Sequence, residues 1–256
     1  GYRAAANGKT ANHRYSASAA SYVAATNTGY NGEQAAFCAT SATDLTPPAS
    51  ADCGTFFFQG VRVSYQSLTS SGVPDSWVRY HSGSTATFNG QQVVPIVDRY
   101  PSVAATTLMI QEAATTWTDV GISTQDSNGS PMDIYYVAPT VFPRRMLDGQ
   151  RIDINRSVAY SPVQNFGSAT QVGHRTFVGR ETVTVPAGTF AACKFTGELT
   201  ANYAAIGRTD TTRTTTWVAE AVGVVKSETL ESTSINGGPP SAAISTEVLA
   251  VSIQPL

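Results

Sequence analysis

The chain has 256 residues, a formal net charge of −2 and a hydrophobic share of 41%, enough apolar material for one large domain or two small ones. Only 13% of residues are charged, about half the usual share, and Thr, Ser, Asn and Gln supply the missing polarity, a balance that suits exported or cell-surface β proteins. Lysine occurs only at Lys9, Lys194 and Lys226, so there is no basic stripe to capture nucleic acid or anionic membrane, and no apolar run approaches the roughly 20 residues of a spanning helix.

Residues 1–54 form an Ala/Ser/Thr-rich N-terminal arm. Ser16, Ser18 and Ser21 interrupt its alanines, and it reads equally as a short helix over 17–25 or as an extended arm. Such a segment buries too little apolar surface to order itself. The start at Gly1 reads as a mature chain whose leader has been removed. Cys38 and Cys53 bracket a polar, Pro-containing loop, which predicts a Cys38–Cys53 disulfide in an exported protein; the alternative is three free thiols. Cys193, on the apolar face of a later strand, reads as a small buried hydrophobe.

From residue 55 onward the pattern is β. Thr55 to Ser67 reads as a strand through Phe56, Phe57, Phe58, Val61, Val63 and Tyr65. Ser76 to His81 is a short strand with Trp77 and Tyr80. Asn89-Gly90 between β-prone runs predicts a two-residue hairpin turn. Two strands follow over 106–125, with Leu108, Ile110, Trp117 and Val120, and others over 134–137 and 151–160. Thr176 to Leu199 predicts a long hairpin about Pro186-Ala187-Gly188. Its alternation places Phe177, Val183 and Val185 opposite Arg180, Thr182 and Thr184, and Cys193, Phe195 and Leu199 opposite Lys194, Thr196 and Glu198. A second hairpin turns through Glu220 to Gly223, and a strand over 247–253 closes the chain.

Strands at roughly ten-residue intervals with turn dipeptides between them predict an all-β fold. A large antiparallel sheet of sequential hairpins should curve into an open half-barrel or split into a two-layered sandwich. The expected division is the arm, 1–54, and an antiparallel β domain, 55–256.

The two late hairpins carry a recognisable pattern. Val183-Thr184-Val185-Pro186-Ala187-Gly188-Thr189-Phe190 is followed by Cys193-Lys194-Phe195. Then come Thr216-Trp217-Val218-Ala219 and Val222-Gly223-Val224-Val225-Lys226. This resembles TapB-like bacterial envelope proteins related to the domain of unknown function 3108, over roughly residues 80 to 256. The resemblance implies a curved antiparallel sheet like that of lipoprotein carriers, and export to the periplasm or cell surface. It excludes the first fifty or so residues and brings no N-terminal lipidation cysteine. Pro186, Gly188, Trp217 and Gly223 are its turn and packing residues.

Chemistry is harder to find. His13, His81 and His174 lack metal-ligand spacing and the cysteines form no C-x-x-C, so no metal or cofactor is expected. There is no nucleophile elbow. Asp98, Asp119, Asp126, Asp133 and Asp153 are candidates for paired carboxylates but read more simply as solvated strand ends and turns. Trp77, Tyr80, Trp117 and Tyr135 could line a groove for a lipid or glycan, or anchor the core. Three functions follow as expectations. The first is a non-catalytic exported protein binding an apolar ligand or an envelope partner. The second is a subunit of a homo-oligomer or filament that donates its arm as a strand to a neighbour's sheet edge. The third is a hydrolase whose site only the fold assembles.

Overall fold

The computed structural model describes residues 2–3, 12–13, 53–70, 72, 74–101, 105–126, 128–164 and 167–256. The chain divides into two compact units, Gly1–Ala49 and Ser50–Leu256. In the first, β1 (Tyr2–Arg3) pairs antiparallel with β2 (Asn12–His13). The helix expected over 17–25 and the Cys38 end of the expected disulfide lie outside the described residues.

The second unit runs β3 (Val61–Thr69), β4 (Asp75–His81), β5 (Ala86–Phe88), β6 (Gln91–Arg99), β7 (Thr106–Glu112) and β8 (Thr116–Gln125). It continues with β9 (Pro131–Val137), β10 (Val141–Pro143), β11 (Arg151–Ser161), β12 (Ala169–Val185) and β13 (Gly188–Tyr203). A 3-10 turn, Ala204–Ile206, leads to β14 (Arg208–Ala219), β15 (Gly223–Ile235) and β16 (Ile244–Pro255). Neighbours in the sheet follow the order β8, β7, β6, β4, β3, β16, β15, β14, β13, β12, β11, β9, and β9 then pairs back onto β8. The expected open half-barrel or sandwich is therefore corrected to a closed antiparallel barrel of 12 strands.

Closure has a local cause. Every strand adds right-handed twist, and bulges add more at a point. Register shifts occur at Phe177/Gly179, Trp217/Val218, Ala250/Ser252 and Met109/Ile110. The last lets β8 change partners along its length. Thr116, Trp117 and Thr118 pair with β10, while Gly121 to Gln125 pair with β9 and seal the ring. The short β5 pairs with β6 off the ring. There Phe88, Val93 and Val120 form a small core with Tyr135 packed against it.

The bulges also decide which side chains face inward. Phe177 pairs with Phe195, and both are buried in the main interior cluster with Cys193, Val218, Ile154, Ile110 and Trp117. Beyond Val178 the parity reverses: Arg180 faces Cys193, and Val183 and Val185 turn to the opposite surface. The sequence alternation put Phe177, Val183 and Val185 on one face, and a single extra residue overturns it. The reversed tip of the β12–β13 hairpin packs as a second cluster with Trp217, Ala219, Val225 and Ala250. The Ala187 amide donates to the Ala250 carbonyl at 3.1 Å. Two motif glycines are explained here. Gly188, at φ 141°, opens β13 directly after the two-residue turn Pro186-Ala187, and a Cβ on Gly223 would lie 2.7 Å from the Phe56 carbonyl.

Candidate functional site

A barrel of this size leaves an interior wider than its own inward side chains fill at every level. One end is filled by the chain itself. The segment Cys53–Phe58, in which a strand was expected to open at Thr55, instead enters the barrel as a plug. Cys53 is bridged to Cys193, 140 residues away in sequence, which corrects the expected Cys38–Cys53 pairing and the reading of Cys193 as an unbridged hydrophobe. The spacing of the first two cysteines carried no information about a partner brought close only by the fold. Phe56 packs on Phe195 and Trp117, with ring centroids 4.9 and 5.9 Å apart. Trp117 stacks on Phe142 at 4.5 Å and donates from Nε1 to the Gly54 carbonyl at 2.8 Å. A Cβ at Gly54 would meet the Pro143 carbonyl at 1.9 Å, so only glycine permits this approach. The space left between the plug and the β3–β4 wall is about 10 Å³, no more than one water occupies.

A polar clamp holds this end. The Gly54 amide donates to the Arg144 carbonyl at 2.8 Å. Arg144 Nη2 donates to Glu112 Oε1 at 2.8 Å, and His81 Nε2 lies 3.1 Å from Glu112 Oε2. Burial pushes the Glu112 carboxyl up, but the hydrogen bonds from Arg144 and His81 outweigh it and hold the group below its ordinary value. Its folded pKa is therefore the lower one, so the clamp stabilises above the unfolded value near 4.5 and is lost as pH falls through the folded value. Urea midpoints should fall on acidification through this window. Glu112→Gln should lower the midpoint at neutral pH and flatten that part of the acid limb. An unchanged acid limb in the variant would remove Glu112 from the clamp.

Toward the other end the inward faces are unevenly covered: Val158, Ala169 and Ala201 are buried, while an apolar strip is not. Register carries Leu108 to Ile122 and Ile122 to Ile134, a strip across β7, β8 and β9. All three face inward and remain half-buried, and Ile122 and Ile134 belong to none of the three packed clusters. Between strip and plug lie charges. Arg156 Nη1 donates to Asp119 Oδ2 at 2.6 Å and its Nε to Gln171 at 2.8 Å, with its guanidinium 3.6 Å over the Tyr136 ring. Burial raises the Asp119 carboxyl despite Arg156. Arg79 grips Asp98 through two bonds of 2.6 Å. Beside this pair Trp77 stacks between Tyr65 and Tyr100 at 5.3 and 5.7 Å, and burial pushes the Tyr65 hydroxyl up to about 12.

These placements sort the sequence candidates. Trp77 and Trp117 face the interior, Trp117 as part of the plug. Tyr80 and Tyr135 lie on the other face of their strands, Tyr135 against Phe88 at 5.0 Å. The four do not form one groove. Asp98 and Asp119, read as solvated, are inward-facing and paired to arginines, while Asp153 is exposed beside Arg151. Sequence reasoning passed over Arg79, Arg156 and Arg175. Their positions in the alternating rows of β4, β11 and β12 were the available signal. Among the described residues no group of three or more His, Cys, Asp or Glu is placed to hold a metal.

A second concavity lies on the outer surface of β12 to β16 and β3. It is a groove of about 720 Å³, within the range of ligand sites. Ion pairs line it: Glu198 with Arg213 at 2.7 Å, and Lys226, at its edge, with Glu228 and Glu247 at 2.8 and 3.0 Å. Leu68 and Leu230 stand in it, 54% and 48% exposed.

A comparison with known families decides the kinship of the central strands. Residues 129–234 match the DUF3108-like family model. This DUF3108-like stretch spans β9 to β14 and most of β15, and contains every residue of the hairpin motif on which the resemblance was read. It is narrower than the span from about residue 80 expected for it. No curated protein matches the chain. Among solved structures, a Parabacteroides distasonis protein described as a lipoprotein superposes with a TM-score of 0.52 at 14% identity, covering 79% of this chain and 100% of its own. A Bacteroides fragilis protein described as exported and YmcC-like in fold gives 0.48 at 16% identity, covering 79% and 100%. The hypothetical lipoprotein YmcC of Escherichia coli gives 0.34 at 16% identity, covering 75% and 85%. At these identities the likeness is one of fold. Among the described residues no helix is long and apolar enough to cross a membrane.

Proposed function

We propose that the chain is a non-catalytic, exported binding protein of the bacterial cell envelope, and that the open half of its barrel shelters an apolar ligand. One observation carries the reading: the inward strip of Leu108, Ile122 and Ile134 stays half-buried, whereas Cys53, Phe56, Trp117 and Phe195 at the plugged end are buried. Apolar side chains that are only partly covered gain contacts and shed water when a ligand packs on them. The fold shared with a protein described as a lipoprotein supports the envelope setting. A hydrolytic role is favoured less, because Asp98 and Asp119 are each held by an arginine and neither stands free as an acid or base. Strand donation is favoured less too, because within the 14-stranded sheet ring closure leaves only the short β5 and β10 outside the ring among the described residues.

The outer groove supports a second reading, an envelope partner that covers Leu68 and Leu230. Nile red, a neutral dye whose emission shifts to the blue in apolar surroundings, separates the two. Saturable binding that Ile134→Asn abolishes and Leu230→Glu leaves intact is expected for a ligand in the barrel. The reverse pattern moves the site to the groove. No saturable binding in the unmutated protein defeats the barrel reading.

A further inference from the structure

The floor of the outer groove is ordered by register. Two rows of side chains cross the strands of β12 to β16 and β3. One runs His174, Glu198, Arg213, Leu230, Ser245. The other runs Thr196, Thr215, Glu228, Glu247, Leu68. On β13, Thr196 and Glu198 alternate with Phe195 of the interior cluster, so both rows face outward. Neighbouring strands lie about 4.8 Å apart. Each row therefore offers one side chain per strand, a step close to the advance of one ring in an extended polysaccharide.

The charges of these rows are answered on the spot. Arg213 donates from Nε to Glu198 Oε2 at 2.7 Å. Lys226, 5.0 Å over the Trp217 ring, holds Glu228 and Glu247 at 2.8 and 3.0 Å. Neither cation is left over for an anionic ligand. Pairing fixes each group without exhausting it: Arg213 keeps the N–H groups of its two terminal nitrogens, and each glutamate keeps an oxygen. Thr196, Thr215 and Ser245 add hydroxyls that both donate and accept. Leu68 and Leu230 stand among these polar groups, 54% and 48% exposed. Among the described residues that line the groove there is no aromatic ring, so it lacks the aromatic anchors on which protein interfaces often centre.

We propose that the groove binds an uncharged, extended oligosaccharide, its hydroxyls on the paired side chains and the C–H faces of its rings on Leu68 and Leu230. A sugar hydroxyl donates and accepts at once and so matches donors and acceptors fixed side by side. Partners already held by their ion pairs lose little freedom on binding. The proposal rests on the second reading above, in which the groove is a site, and is independent of the barrel interior.

The test is calorimetric titration of the protein with four hexasaccharides: cellohexaose and chitohexaose, both neutral and extended, the cationic glucosamine hexamer and the anionic galacturonate hexamer. One of the neutral pair should bind at least about tenfold tighter than either charged hexamer, without dependence on salt, and the tighter of the two names the sugar. Arg213→Met should weaken that binding about tenfold or more, as for a lost charge-assisted hydrogen bond. Leu230→Glu should abolish it. The thermal midpoints of both variants should match the parent, because both side chains are exposed. Tightest binding of the glucosamine hexamer, lost at high salt, makes the groove a cation trap and overturns the proposal, as does tightest binding of the galacturonate. Neutral binding that survives in both variants places the sugar elsewhere and overturns the assignment. Binding of none overturns the oligosaccharide alone, because the Nile red pattern decides separately whether the groove takes an apolar partner.

Discussion

Cys193→Ser is expected to lower the unfolding free energy by roughly 3–5 kcal/mol. The bridge to Cys53 closes a loop with a sequence separation of 140, for which the chain-entropy model gives about 5 kcal/mol, and native disulfides removed from small domains typically account for 2–5. The segment it tethers has little else to hold it covalently in place. Cys53 directly precedes the glycine that threads past Pro143 and the phenylalanine that fills the barrel end. Urea unfolding with and without reductant tests this. The unmutated protein should shift on reduction, and Cys193→Ser should unfold early in both conditions. With three cysteines in the chain and two in this bridge, denatured, unreduced protein should show one titratable thiol. Three thiols, or a variant as stable as its parent, would show that the bridge does not form.

Phe56→Ala is the second large effect, a loss of about 3–5 kcal/mol as for other buried phenylalanines. Phe56 is 7% exposed and touches Phe57, Trp117 and Phe195. Its ring also lies against the Arg175 guanidinium, so truncation leaves a cavity and deprives a buried charge of one face. The loss should therefore exceed that of an aliphatic truncation nearby, such as Ile154→Ala. A urea midpoint within about 1 kcal/mol of the parent would mean that the plug is not part of the core. Because Phe56 and the Cys53–Cys193 bridge hold one segment, their effects should not add. In the double variant the combined loss should fall short of the sum, as for groups that share a structural unit.

The two effects coincide on a segment whose role the sequence misrepresented. Phe56-Phe57-Phe58 alternates into Val61, Val63 and Tyr65 as a strand would. The strand begins only at Val61, because three consecutive aromatics satisfy an interior as readily as a sheet face, and periodicity does not distinguish the two.

What the sequence by itself determined is local. Turn dipeptides and period-two alternation placed most of the strands, since each strand's polarity and each tight turn's backbone are properties of a few neighbouring residues. The hairpin motif likewise identified its relatives, because Gly188 and Gly223, at φ 141° and 102°, each answer to a local backbone demand beside a turn. The tertiary structure decided everything that needed two distant segments. Whether the sheet stays open or closes turns on β8 pairing with both β10 and β9. The partner of Cys53 lies on β13. A single-residue bulge reversed the faces of Val183 and Val185, and alternation cannot register an insertion that leaves both neighbours equally β-prone. The candidate site is of the same kind. Arg156, Arg175 and Asp119 come from three strands, and a charge in a strand looks solvated until the barrel closes around it.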